Sequence, residues 1–235
     1  MKKIHENQQV IDLDGREVAL RVRRNPRARR LSLRVDPIQG DVVLTVPPAT
    51  PVTEGIRFAK RKSGWLLNRL NDVPPRIPFA DGTTISVFGQ PYTIRHGLDA
   101  GRVISCKDGE IRVSGRAEHL PRRLTDWLKR EARRELSERA HTLAASLDMK
   151  AGRISVRDTR SRWGSCSAKG NLSFSWRLIM APEFVLSYVV AHEVAHLLEK
   201  NHGPKFWKLV DRLNDQAKAA RKWLRHNGES LHRMG

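Results

Sequence analysis

Residues 189–198 read Val-Val-Ala-His-Glu-Val-Ala-His-Leu-Leu, and no other stretch constrains the fold as much. His192 and His196 stand four apart. On a helix that spacing stacks two side chains on one face. Val189, Val190, Ala191, Leu197 and Leu198 flank them, so the helix is expected to be half buried. Burying two imidazoles and a carboxylate without partners costs about 2 kcal/mol or more per unsatisfied group. A surface helix that merely carries histidines is the plain alternative, and the apolar flanks argue against it.

The string His192-Glu193-Val194-Ala195-His196 matches H-E-x-x-H. Two imidazoles at i and i+4 meet one ion without distorting the backbone, and the intervening glutamate reaches a water on the open side of that ion. This chemistry points to zinc, with Glu193 as the base. A catalytic zinc takes a third protein ligand, and the candidates are His202, Glu199 and Asp211. His202 lies ten residues after His192, the spacing of H-E-x-x-H-x-x-G-x-x-H, but Glu199 stands where that pattern has glycine. His202 is preferred over Glu199, and Glu199 over Asp211. The chain is expected to turn at Lys200-Asn201, with Asn in a left-handed conformation, and Gly203-Pro204 to stop the helix.

Elsewhere the pattern changes along the chain. From Val18 to Pro47 apolar and polar residues alternate, as in strands with one buried face. Thr53 to Leu70 reads as a helix. Pro-rich residues 71–82 connect it to short strands at Thr84–Ile94, Arg102–Cys106 and Glu110–Val113. Leu120, Leu124, Trp127, Leu128, Ala132, Leu136, Ala140, Leu143 and Leu147 define a long amphipathic helix. Arg153–Val156 and Leu172–Phe174 read as two strands around a loop. A helix from Pro182 carries the motif, another runs from Phe206 through Trp223, and the tail from His226 is expected to be loose. No internal repeat is visible.

The net charge is +19, with 44 Lys and Arg against 25 Asp and Glu. Arg21, Arg23, Arg24, Arg27, Arg29, Arg30 and Arg34 cluster where no acidic residue intervenes between Glu17 and Asp36. That patch can track phosphates, which makes nucleic acid a candidate partner. Its plainer reading is solvated charge that protects an edge strand. No aromatic residue lies among these strands for base stacking. Cys106 and Cys166, far apart, fit a reducing cytoplasm. The N-terminus has no apolar signal region, and no run approaches the roughly 18 apolar residues of a membrane span.

Residues 160–167, Arg-Ser-Arg-Trp-Gly-Ser-Cys-Ser, precede Tyr188-Val189-Val190, His192-Glu193-x-x-His196-Leu197 and Asn201-His202-Gly203-Pro204-x-Phe206-Trp207. Together with the early Arg-rich strands and the helix around Trp65, this string resembles the YgjP-like metallopeptidase family, from about Val18 to Trp223. That family is related to the SprT-like and WLM zincins. The resemblance implies a zinc-dependent peptidase-like fold, with His192, His196 and His202 as ligands and Glu193 as catalyst. Proteolysis near DNA, associated with the related proteins, carries over only by analogy.

The expectation is therefore an α+β fold. A basic β-rich region (1–117) is joined to a helical zincin-type region (118–235), and the two are compatible with one continuous domain. The expected function is zinc-dependent hydrolysis of peptide bonds. The alternatives are a nucleic-acid-associated protein with a structural zinc, and a hydrolase of non-peptide amides. Arg160 and Arg162 are candidates for substrate or oxyanion contacts. Cys166 and Tyr188 are expected to pack, and Phe206 and Trp207 to anchor the helix that follows His202.

Overall fold

The computed structural model describes residues 6–97 and 104–235. It has an α+β fold, with eleven strands and six α-helices among the described residues. The chain divides into two compact units, Met1–Pro75 and Arg76–Gly235.

In the first unit, β1 (Glu6–Leu13) and β2 (Arg16–Arg24) form an antiparallel hairpin. Its turn is Asp14-Gly15, with φ of 52° and 86°. Two left-handed residues match the twist of the flanking strands. β3 (Ser32–Asp36) and β4 (Asp41–Val46) form a second hairpin, and β4 lies parallel to β2, giving the order β1-β2-β4-β3. α1 (Val52–Arg61) and α2 (Ser63–Asn71) follow. The single helix expected over 53–70 is thus broken at Lys62. Leu20, Val22, Leu44, Ala59 and Leu66 form the core between sheet and helices.

The second unit repeats that strand plan. β5 (Thr84–Val87) pairs with β6 (Gln90–Gly97), β7 (Ile104–Lys107) with β8 (Glu110–Ser114), and β6 runs parallel to β8. The order β5-β6-β8-β7 has the same connectivity as the first sheet. No repeat was visible in the sequence because strand pairing depends on alternation and turns, which different residues satisfy. The β5–β6 turn shows how. Phe88-Gly89 adopts φ of 51° and 79°, but a phenylalanine at the first position hides the usual Asn-Gly or Asp-Gly signal. The Phe88 amide donates to Ile179 O (2.8 Å), which ties the turn down.

The expected boundary at 117/118 gives way to one after Pro75. The buried face of β5–β8 (Ile85, Val87, Ile94, Ile111, Val113) joins the same core as Leu120, Leu124 and Leu128 of α3 (Leu120–Ala145). A strand face that buries against a helix belongs to that helix's unit.

A third sheet follows α3. β9 (Ile154–Arg157), β10 (Gly164–Cys166) and β11 (Leu172–Ser175) are ordered β10-β11-β9, so β10 is an edge. β10 lies inside the expected loop. A 3-10 segment (Trp176–Met180) leads to α4 (Glu183–Ala195). Nine of the thirteen residues of α4 are buried, so it is a core helix rather than a half-exposed one. α5 (Pro204–Leu213) and α6 (Ala217–His232) replace the single helix expected over 206–223. The tail is not loose. Buried Arg177 donates to Leu231 O (3.0 Å) and Met234 O (2.5 Å), and the Gly235 amide donates to Ile77 O (2.9 Å).

Candidate metal centre

Helix α4 stops at Ala195, and the next three residues form a turn held by Leu197 N–Val194 O and Glu199 N–Ala195 O bonds. Asn201 is not left-handed, since among the described residues the positive-φ non-glycine positions are Asp14, Phe88, Asp108 and Asp148. A short Gly203 N–Asn201 O bond (2.7 Å) closes the bend instead. The bend returns His202 to the helix. The ligand nitrogens of His192, His196 and His202 lie within 4.8 Å of one another. His202 Nε2 and His192 Nε2 are 3.1 Å apart. No carboxylate oxygen of Glu199 or Asp211, and no sulfur of Cys166, joins this group.

The remaining ring nitrogens have partners of their own. His196 Nδ1–H donates to Glu199 O (2.9 Å), and His192 Nδ1 lies 3.4 Å from Tyr188 Oη. The proton held at His196 Nδ1 leaves its Nε2 lone pair free, as a metal-ligating histidine requires. Glu199 therefore acts through its backbone carbonyl, which no side-chain pattern reveals. Tyr188 packs, as expected, and its hydroxyl and ring also lie against His192. Burial holds His192 down at about 4, with His196, His202 and Arg221 adding to the effect, so it is neutral near pH 7. Phe206, fully buried, stacks on His196 (4.5 Å) and lies edge-on to His192 (4.9 Å) and His202 (4.8 Å). Trp207 is 5.7–5.8 Å from His202 and His192. The aromatic pair thus fixes the three imidazoles as a set. Three convergent imidazoles with an open side suit zinc.

Glu193 is buried beside this group. Burial pushes its carboxyl up to about 7, against the pull of Arg162. Gly164 on β10 makes its room. A β-carbon at 164 would stand 2.5 Å from both Cγ and Oε1 of Glu193. No local pattern around Gly164 marks this role in the sequence. The missing signal is a contact between residues 29 positions apart.

Two clefts meet at His192 and Glu193, and Arg162 and Gly164 line both. One, about 670 Å³, runs along β10 and past His196, His202 and Lys200. The other, about 330 Å³, runs between α4 and α6. Trp163 O accepts from Ser175 N, and Ser167 N donates to Asn171 O. Alternation along an antiparallel pair then turns the backbone groups of Gly164 and Cys166 away from β11.

Arg162 therefore reaches the centre, whereas Arg160 lines neither cleft and acts on His232. Cys166 lines the larger cleft, and burial raises its thiol.

The arginine patch is less open than the sequence implied. Arg21 donates to Asp41 (2.9 and 3.0 Å) and Asp36 (2.8 Å), because β4 and β3 bring those carboxylates beside β2. Arg24 donates to Pro48 O (2.8 Å), Arg34 lies 3.9 Å from Asp36, and Arg23 Nε is buried. Arg27, Arg29 and Arg30 are exposed and form no ion pair with another described residue.

Three imidazoles that could hold a metal ion and one buried glutamate thus meet on a cleft beside an edge strand. The chain belongs to the YgjP-like metallopeptidase family, whose domain model matches residues 29–227. No curated protein and no solved structure matches the chain. Among the described residues, no helix is long and apolar enough to cross a membrane.

Proposed function

We propose that the protein is a zinc peptidase in which Glu193 is the general base. The observation that carries this reading is the convergence of three imidazoles beside a buried glutamate, in a chain of metallopeptidase family. His192, His196 and His202 would hold the ion through Nε2. Bound zinc supplies a Lewis acid that polarises the scissile carbonyl and acidifies a water. Glu193 takes the proton of the attacking water and passes it to the leaving amine. Burial makes this carboxylate more basic than an exposed one, which suits it to accept that proton. The free backbone groups of Gly164 and Cys166 can pair with an extended peptide, as an edge strand does when it accepts a further strand. Arg162 offers positive charge where the oxyanion develops. A purely structural zinc would leave Glu193 without a role.

Substituting Glu193→Gln tests the mechanism. Peptide cleavage should fall about 10³-fold, while zinc content stays near one per chain. Full activity in that variant would overturn the assignment.

A further inference from the structure

We propose that the cleft between α4 and α6 is a carboxylate subsite, which selects peptides bearing an anionic group next to the scissile bond. This rests on the peptidase reading above. The cleft opens directly onto His192 and Glu193 and holds about 330 Å³. Arg162, Arg221 and Arg225 line it, and Glu193 is the one acidic residue among its lining. None of the three arginines forms an ion pair with another described residue, although other arginines of this unit do, such as Arg139 with Glu183 (2.8 Å). The floor is apolar and aromatic, with Trp163, Tyr188 and Leu224.

Two details argue for a ligand rather than a solvated face. Arg221 is held with its guanidinium carbon 4.4 Å over the Trp207 ring, so the group is pre-positioned with its edge donors free. Arg221 and Arg225 also stand four apart on α6, where like charges repel. An anion bound between them removes that repulsion. The larger cleft is built differently, from Gly164, Ser165, Ser167 and Ala168 with Arg162 and Lys200 as its cations, and it offers no comparable cluster. Guanidinium groups recognise carboxylates through paired, charge-assisted hydrogen bonds. In a peptide that carboxylate comes either from an Asp or Glu side chain or from the free C-terminus.

The test uses the zinc-loaded full chain and peptides that differ only in Glu, Gln or Lys beside the cleaved bond. Each is made as the free acid and as the C-terminal amide. A side-chain subsite favours Glu over Gln by about tenfold in kcat/KM, roughly one charge-assisted hydrogen bond, and ignores amidation. A C-terminal subsite treats Glu and Gln alike and loses the tenfold on amidation. Arg225→Gln should erase whichever preference is found. Arg225→Glu should reverse the Glu-over-Lys order if the source is a side chain, with zinc content unchanged in both variants.

Peptide dissociation constants for Glu193→Gln protein, from calorimetry, give a second readout. Equal cleavage of all peptides, still abolished by Glu193→Gln, overturns the subsite and leaves the peptidase reading intact. Carboxylate-dependent binding without any cleavage overturns the peptidase reading and leaves the subsite standing. Neither cleavage nor binding preference overturns both.

Discussion

At the scale of single residues, the centre depends on one absent atom and one bend. Gly164 lacks the β-carbon that would press on Glu193. Gly164→Ala should displace the carboxyl and lower kcat about 10²-fold, the usual cost of an ångström-scale misplacement, with zinc content unchanged. Loss of zinc together with activity would show that the substitution acts on the ligands instead. His202 is exposed and reaches the group only through the bend closed at Gly203. His202→Ala should weaken zinc binding at least tenfold, read by competition with a chelator; unchanged affinity would remove it from the ligand set. H-E-x-x-H was legible because a local helix fixes the spacing of His192, Glu193 and His196. Gly164 and the Glu199 carbonyl were not legible, since each acts through a neighbour that folding supplies.

Among the elements, the parallel pairing of β2 with β4 decides what the arginines of the first unit can do. It sets Arg21 against Asp36 and Asp41 across three strands. Burial alone would raise the Asp36 carboxyl. The Arg21 guanidinium and the amides of Gln39 and Ile38 outweigh it and hold the carboxyl below its ordinary value. The folded state then binds that proton less readily than the unfolded chain. The contribution is fully present above the unfolded value, roughly 3.9, and is lost as pH falls through the lower folded one. Arg21→Ala leaves mostly buried Asp41 without its cation and Asp36 with only the more distant Arg34, and should cost about 3 kcal/mol near neutral pH. Urea unfolding followed through Trp65, the one tryptophan of this unit, measures it. The deficit should shrink as the medium is acidified through that range. A deficit unchanged down to low pH would show that packing, not charge, is what the variant loses.

For the whole molecule, the excess of positive charge is a sequence property, but its availability is not. We propose that the first unit binds nucleic acid through Arg27, Arg29 and Arg30, the exposed arginines that its strands leave unpaired. Binding to a short DNA duplex should weaken steeply with salt, and replacing the three by Ala should flatten the log K against log salt slope by about 3. No binding at low salt would exclude that partner.

The amino-acid order alone determined the helix that carries His192 and Glu193 and ends at His196, the buried stripe of α3 and the overall charge. Each follows from spacing within a few turns of chain, or from a simple sum. Only the tertiary structure decided that β5–β8 belong with the helices and that β10 forms an edge inside an expected loop. It also decided that α6 runs to His232, and that Arg162, Arg221 and Arg225 share one cleft. The reason is physical: these outcomes depend on which apolar faces find one another across the chain, and several local patterns satisfy the same pairing.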